Sequence, residues 1–285
     1  MTQGNGLSEA YTATLMRIKA QKGYKSVLGL KALMWVLYSE RPLRTKELCH
    51  ALGVEIGSAN LDPENVPALR IVLASCLGLI TVEMSSSTVR LVHFTLQEYL
   101  SGRLTLFHSP HSAISEVCLT YLNFGLVRDL SPTLRRPPST ISLLEYASVY
   151  WWRHTRIGVT ENIKILALRL VDRFDEHISI QLLYHDWKMF PRVYGGPEKL
   201  TGFTRLHGVS FFGIEEIVGA VLDMREWDLN AADSTGNTAL TWAAKRGHDG
   251  VVRCFWNERT SILTSQTPNI AGHHSGGRLR RGMRG

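Results

Sequence analysis

The chain is 285 residues long, 44% hydrophobic and 20% charged, which suffices for two domains with buried cores and excludes global disorder. Its formal net charge is +7, but residues 271–285 contain four arginines and no acid, so the rest of the chain carries +3. That distribution argues against a nucleic-acid-binding surface and predicts a disordered basic tail at 259–285.

No segment predicts a membrane span, a disulfide or a metal site. The longest apolar run, 71–82, is too short to cross a bilayer, and the N-terminus lacks the apolar core of a signal peptide. His108 and His111 have no further ligand nearby in the sequence, which favours a loop over a metal site. We therefore expect a cytoplasmic protein without metal or cofactor. Its cysteines stand singly in apolar stretches, typical of buried thiols in a reducing compartment: Cys49, Cys76, Cys118 and Cys254.

The first third of the chain alternates helical patterns with turns. Helices are predicted at 8–21 and 24–38, the second from apolar residues at i, i+3, i+4 and i+7 spacing. Thr45 is the expected cap of a short helix that ends at Gly53, and a further helix passes through 69–76.

The hydrophobic period then changes. The stretches LITVEM (79–84) and TVRLVHF (88–94) are rich in β-branched residues and are separated by three serines, which predicts a β-hairpin. Thr95 and Glu98 form a T-x-x-E capping box that opens the next helix. Helices, a two-stranded wing and another helix, in that order, predict a winged-helix domain at 1–108.

The middle region, 109–197, is predicted to be a helical linker. Ser112 is the expected cap of its first helix, a second helix passes through 143–151, and a third runs from 160 to 174. The aromatic stretch YWW at 150–152 favours packing between helices over a ligand cage.

The C-terminal region repeats itself with a period of 34 residues. The glycines suit turns, the threonines suit helix caps, and the valines belong to an apolar helix face. Two helical hairpins are therefore predicted at 198–258, after a Gly-Gly-Pro boundary at 195–197. The matching pairs are Gly202 and Gly236, Thr204 and Thr238, Leu206 and Leu240, Gly213 and Gly247, and Val218 and Val252.

Both copies resemble the ankyrin repeat. The second, DSTGNTALTWAAKRGHDGVV at 233–252, has the threonine opening, the paired alanines and the G-H turn of that repeat. The first, GFTRLHGVSFFGIEEIV at 202–218, has the T-x-L-H opening but Val209 and Ser210 in place of the alanines. Both copies lack the usual proline.

The region before the repeats is similar to the winged-helix module of fungal NACHT–ankyrin proteins, which are signal-transducing STAND NTPases related to NLR receptors. The similarity extends from Leu28 to Phe124 and includes ALMWVLYSERPLRTKELCHALGV, CLTYLNFG and VRLVHFTLQEYL. The same module carries the name of GPI inositol-deacylase-like proteins. In that family it lies between the NTPase domain and the repeats, so the order found here agrees. The resemblance implies a fragment or truncated relative, with an upstream NTPase domain as a further partner.

No catalytic motif accompanies this resemblance. The sequence contains no G-x-x-x-x-G-K-[ST] phosphate loop, no G-x-S-x-G elbow and no H-E-x-x-H, so no enzyme activity is expected. In STAND proteins a winged-helix histidine contacts bound ADP, and the resemblance gives that role to His93. The alternative is a structural histidine, hydrogen-bonded to the backbone beside a helix N-terminus.

The leading hypothesis is a non-catalytic signalling and interaction protein whose ankyrin repeats bind a protein partner. Exposed aromatic and basic side chains on the concave side would form the binding surface. Coverage of the two phenylalanines by helices from 160–190 is the open alternative. The side chains expected to face the partner are Trp242, Lys245 and Arg246 in the second repeat and Phe211 and Phe212 in the first.

A DNA-binding winged helix is the alternative function, and a hydrolase is the weakest. The candidate recognition helix, 46–52, carries one lysine and one glutamate, and the wing tip is three serines, so the charge needed to neutralise phosphates is missing. The predicted fold class is mainly α, with a winged-helix domain, a helical middle region and C-terminal ankyrin repeats.

Overall fold

The computed structural model is mainly helical. None of the helices in its described part is long and apolar enough to cross a membrane. The predicted boundary at 195–197 and the last part of the predicted tail lie outside the described residues, which are 3–103, 105–132, 134, 138–172, 174–185 and 202–266.

The N-terminal third contains five helices around a small sheet in the described residues, and the predicted order of helices, wing and helix is confirmed. The prediction for 24–38 matches α2 at both ends, because that segment has a continuous apolar face between two turns. The elements are α1 (Gln3–Lys19), α2 (Tyr24–Tyr38), β1 (Leu43–Arg44), α3 (Thr45–Gly53), α4 (Leu69–Ser75), β2 (Ile80–Glu83), β3 (Thr88–Leu91) and α5 (Phe94–Ser101).

The sheet has the antiparallel order β1-β3-β2. The predicted hairpin is formed by β2 and β3, with Ile80 opposite Leu91. The short strand β1 adds a third member by pairing Leu43 with Val89, so the predicted two-stranded wing continues into a three-stranded sheet. Leu43 and Val89 are both buried, and their packing against the helices explains why this short strand forms.

The predicted helix caps at Thr45, Thr95 and Ser112 are wrong. The cap residues are Arg44, His93 and Ser109, so each helix begins before the position that its sequence pattern predicted. In all three cases the predicted residue lies inside the helix.

The middle region is a helical bundle in which α8 occupies a central position. It packs against α6 and α10, and α6 also packs against α9. Buried hydroxyl pairs join these helices, with Ser115 Oγ 2.5 Å from Thr155 Oγ1 and Ser148 Oγ 2.9 Å from Ser179 Oγ. The helices are α6 (Pro110–Leu122), α7 (Gly125–Arg128), α8 (Leu144–Thr155), α9 (Glu161–Val171) and α10 (Ile178–His185).

The 34-residue period of the sequence is also present in the backbone of the C-terminal region. The helices are α11 (Arg205–Phe212), α12 (Glu215–Asp223), α13 (Ala239–Lys245) and α14 (Asp249–Gln266). Helices α11 and α13 begin 34 residues apart, and so do α12 and α14. The predicted domain end at 258 falls inside α14, because this helix continues to Gln266.

One continuous core connects these regions in the described residues. Tyr146 of α8 contacts Trp35 of α2 with ring centroids 6.0 Å apart, and Trp151 of α8 contacts Phe212 of α11 at 4.9 Å. Helix α9 packs against both α11 and α12. The predicted role of the YWW stretch in helix packing is therefore confirmed for its two tryptophans, which are buried.

Candidate functional site

The three aromatic residues expected on the partner surface are buried by the same chain. Phe211 is 1% exposed, Phe212 is fully buried and Trp242 is 9% exposed. Phe212 packs against Phe174 at 5.6 Å between ring centroids, as the alternative of coverage from 160–190 expected. It also packs at 4.9 Å against Trp151 of α8, which lies outside that range. The expectation that these aromatic side chains are exposed is therefore wrong.

Trp242 has a structural role in the loop before α13. Its Nε1–H donates to Oδ2 of Asp233 at 2.6 Å, while Oδ1 of Asp233 accepts from the backbone nitrogens of Thr235 and Asn237. Burial raises the pKa of Asp233, but the hydrogen bonds from Thr235, Trp242 and Asn237 outweigh it and leave the pKa below its ordinary value. Asp233 therefore fixes the loop as a buried, charged acceptor.

Lys245 and Arg246, at the C-terminal end of α13, remain on the surface. Lys245 is exposed, and its Nζ donates to Oδ1 of Asn237 at 2.6 Å. Arg246 is half-buried, and its Cζ lies 4.3 Å from the ring centroid of Phe211. A cation over a buried ring is held in position by packing.

His93, the candidate nucleotide-contacting residue, caps α5. Its Nδ1 accepts from the backbone nitrogen of Thr95 at 3.2 Å and lies 2.8 Å from Thr95 Oγ1. The side chain is exposed and packs beside Phe94 with ring centroids 4.5 Å apart. This arrangement matches the structural alternative, since one ring nitrogen is already used to satisfy the helix N-terminus.

The candidate recognition helix, α3, faces other parts of the chain. Nδ1 of His50 lies 3.0 Å from the hydroxyl of Tyr121 in α6, and the only acid of the helix, Glu47, is buried. A cavity of about 360 Å³ separates this helix face from the loop before α8. The cavity is lined by Thr45, Lys46, Cys49, His50, Val66, Leu69, Ser139 and Ser142.

The two histidines considered for metal binding, His108 and His111, lie in different structural environments. His111 lies in α6 and not in a loop, and its Nδ1 is 2.9 Å from Nδ1 of the buried His154. Among the described residues, no three His, Cys, Asp or Glu side chains come together as a ligand set.

The cysteines are free thiols in the described structure, and three of the four are buried. Burial raises the pKa of Cys76 to about 12 and also raises the pKa of Cys118. Because the thiolate is the reactive form, these side chains behave as small apolar core residues.

Comparison with known families identifies the class of the N-terminal domain. Residues 15–105 match the model of the family described as GPI inositol-deacylase, winged helix domain. The match covers α2, the wing and α5, so the predicted winged-helix domain is confirmed. No curated protein and no solved structure matches the chain.

Proposed function

We propose that the chain is a non-catalytic protein-interaction and signalling module in which two ankyrin-type repeats bind a protein partner. The repeats are the hairpins α11–α12 and α13–α14. The observation that carries this proposal is the shared 34-residue period of the sequence and the helix starts. A winged-helix domain beside such repeats is the arrangement of NACHT–ankyrin receptors, and an NTPase domain is the partner proposed for the winged helix.

Hydrogen bonds between the hairpins support a repeat array. Nε2–H of His207 in α11 donates to the carbonyl oxygen of Asn237, 3.1 Å away in the loop before α13. His248, at the turn between α13 and α14, donates from Nε2 to the carbonyl oxygen of Phe211 at 3.0 Å. Each histidine is buried and bonds to the other hairpin, so the two hairpins stack as neighbours.

The position of α3 favours this proposal over a DNA-binding function. A recognition helix needs an open, basic face, whereas α3 has Lys46 as its one lysine and directs His50 to Tyr121. Ser139 and Ser142 stand across the cavity in front of the same face.

A site-specific crosslink tests the proposed interaction. A photo-reactive phenylalanine analogue is placed at Lys245, and the purified chain is irradiated in an extract of the organism that encodes it. We expect a discrete adduct from this position, because Lys245 is exposed at the end of α13. The matched control carries the analogue at Glu216, which is exposed on α12 of the neighbouring hairpin. Absence of any adduct from position 245, or the same adduct from both positions, would contradict the proposal.

A further inference from the structure

The cavity in front of α3 lies where the winged-helix domain meets the middle region. Its volume is about 360 Å³, and its lining comes from α3, from the start of α4 with Val66 before it, and from the loop before α8. Because this loop is far from α3 in the sequence, only the folded chain forms the cavity. We refer to it as the α3 cavity.

The lining of the α3 cavity combines an apolar part with a polar part. Cys49, Val66 and Leu69 supply the apolar part, and the Cys49 thiol stays protonated at neutral pH because burial raises its pKa. A ligand that fits this lining has an apolar portion and a group that accepts hydrogen bonds. The polar part consists of three hydroxyls and two nitrogen-bearing side chains, namely Thr45, Ser139, Ser142, Lys46 and His50.

Lys46 supplies the charge of the α3 cavity. None of the described lining residues is Asp or Glu, and within the described part of the chain Lys46 forms no ion pair. Burial lowers the pKa of His50, and the charge of Lys46 lowers it further, so the imidazole is neutral at pH 7. The lining therefore has an excess of one positive charge, which favours an anion.

Helix α3 is fixed relative to the rest of the fold. Nδ1 of His50 lies 3.0 Å from the hydroxyl of Tyr121 in α6. The buried carboxylate of Glu47 accepts two hydrogen bonds from Arg41, which holds the start of the helix. The wall that carries Lys46 is therefore preformed, and a ligand does not have to order it.

Hydroxyl groups face the α3 cavity from two segments of the chain. In the loop before α8, the Ser142 hydroxyl donates to the carbonyl oxygen of Ser139 at 3.1 Å. The hydroxyls of Thr45 and Ser139 have no hydrogen-bond partner among the described residues. Together with the ammonium group of Lys46, they are three donors that the fold itself does not use.

We propose that the α3 cavity binds a phosphate monoester of a small apolar alcohol. Three donors from two segments suit the three terminal oxygens of a tetrahedral phosphate better than the two oxygens of a planar carboxylate. The Nζ of Lys46 neutralises the phosphate, and the hydrocarbon packs against Val66 and Leu69. A small ligand fits better than a DNA duplex, because a single lysine cannot neutralise a row of phosphates.

Isothermal titration calorimetry with hexyl phosphate tests this proposal on the full chain. We expect saturable one-to-one binding of this probe. Hexanol lacks the anionic group, inorganic phosphate lacks the hydrocarbon, and hexanoate has a carboxylate instead of the phosphate. Each of these three compounds should bind at least about tenfold more weakly than hexyl phosphate, because each loses part of the proposed contacts.

Two variants with matched controls locate the binding site. K46Q removes the charge of the cavity and should weaken hexyl phosphate binding at least about tenfold, whereas K31Q changes an exposed lysine of α2 and should not. S139F places a ring at the cavity and should weaken binding by a similar factor. T140F makes the same change at the next position, which does not line the cavity, and should keep the affinity. All four positions are exposed, so these variants should fold, which circular dichroism verifies.

Several results would overturn the phosphate-monoester inference. Absence of hexyl phosphate binding, or equally tight binding of hexanol, would show that the cavity does not recognise the anionic group. Tighter binding of hexanoate would contradict the assignment of a phosphate. Unchanged affinity in K46Q, or equal affinities in S139F and T140F, would place the binding site elsewhere. Displacement of hexyl phosphate by duplex DNA would assign Lys46 to a nucleic-acid surface instead.

Discussion

Glu47 shows how a single charged residue organises the start of α3. Its carboxylate is buried, accepts two hydrogen bonds from Arg41 at 2.8 and 2.7 Å, and accepts a third from the backbone nitrogen of Arg44 at 2.7 Å. The same side chain thus caps the helix and neutralises Arg41, which lies over the ring of Tyr146. The sequence pattern placed Glu47 on a candidate DNA-facing helix. In the structure its contacts with Arg41 and Arg44 give it a structural role instead.

Replacing Glu47 should therefore destabilise the winged-helix domain. We expect E47A to lower the free energy of unfolding by about 3 kcal/mol, because it leaves a half-buried guanidinium without its partner and removes a helix cap. Urea denaturation followed by circular dichroism measures this loss. The control E55A removes an exposed glutamate just after α3 and should change stability by less than about 0.5 kcal/mol. Equal effects of the two substitutions would disprove the assigned role.

Two buried histidines should make the fold sensitive to acid. Burial lowers the pKa of His154 to about 3, with His111 and Arg153 adding to the shift. Burial also lowers the pKa of His177 to about 4, reinforced by Arg128 and opposed by the hydrogen bond to the carbonyl oxygen of Leu122. Both side chains are therefore neutral in the folded chain at pH values where they are protonated in the unfolded chain.

The sign of the pH effect follows from proton uptake. Below the ordinary histidine pKa of 6.5, the unfolded state binds more protons than the folded state, so stability falls as the pH falls. Between pH 6.5 and pH 5, each of His154 and His177 should remove up to about 2 kcal/mol. Urea titrations at several pH values should show this slope, reduced in H154Q and H177Q. H108Q, which changes an exposed histidine, should keep it. A slope unaffected by the two buried substitutions would contradict the assignment.

At the scale of elements, local periodicity predicted which segments are helices better than where they begin. The caps predicted at Thr45, Thr95 and Ser112 failed because a hydroxyl near a helix start is compatible with several neighbouring starting points. The predicted cap threonines of the hairpins, Thr204 and Thr238, do occupy the cap positions of α11 and α13. Before α5 the backbone is still extended at His93, two residues after the end of β3. The His93 ring accepts the hydrogen bond from the backbone nitrogen of Thr95, so His93 and not Thr95 is the cap residue. The 34-residue period predicted both hairpins, since each hairpin depends on its own glycine turn and apolar spacing.

The solvent exposure of the aromatic side chains could not be predicted from the periodicity of the sequence. Phe211, Phe212 and Trp242 look like surface aromatics within their own repeats. The side chains that cover Phe212 come from upstream in the sequence, from Trp151 and Trp152 of α8 and from Phe174.

The two hairpin turns offer a matched pair of glycines. Gly213 and Gly247 both have positive φ, +69° and +70°, so alanine at either position is strained. A Cβ at Gly213 would lie 2.5 Å from the ring of His248, whereas a Cβ at Gly247 would meet no atom within 4 Å. We expect G247A to cost about 1 kcal/mol and G213A about 3 kcal/mol, measured by urea denaturation. Equal losses would show that the hairpins do not pack closely at His248.

On the scale of the whole molecule, α8 connects the winged-helix domain to the hairpins. The hydroxyl of Tyr146 accepts from the backbone nitrogen of Glu40 at 3.1 Å, on the side of the winged helix. Further along the same helix, Trp151 and Trp152 pack against Phe212 of the first hairpin. The predicted helical linker is therefore a packed part of the core.

The hairpin pair should depend on this packing for its stability. Repeat arrays bury their apolar faces only against neighbours, so about three repeats are usually needed for a stable fold. The described residues contain two such hairpins, and α8 and α9 cover the first of them. We expect residues 202–266 alone to melt without a cooperative transition, and residues 3–266 to melt cooperatively, as measured by circular dichroism. F212A in the longer chain should lower its stability by about 3–5 kcal/mol, because Phe212 is fully buried against α8. A cooperative transition of the short fragment at high temperature would mean that the hairpins are self-sufficient and that α8 is not required to support them.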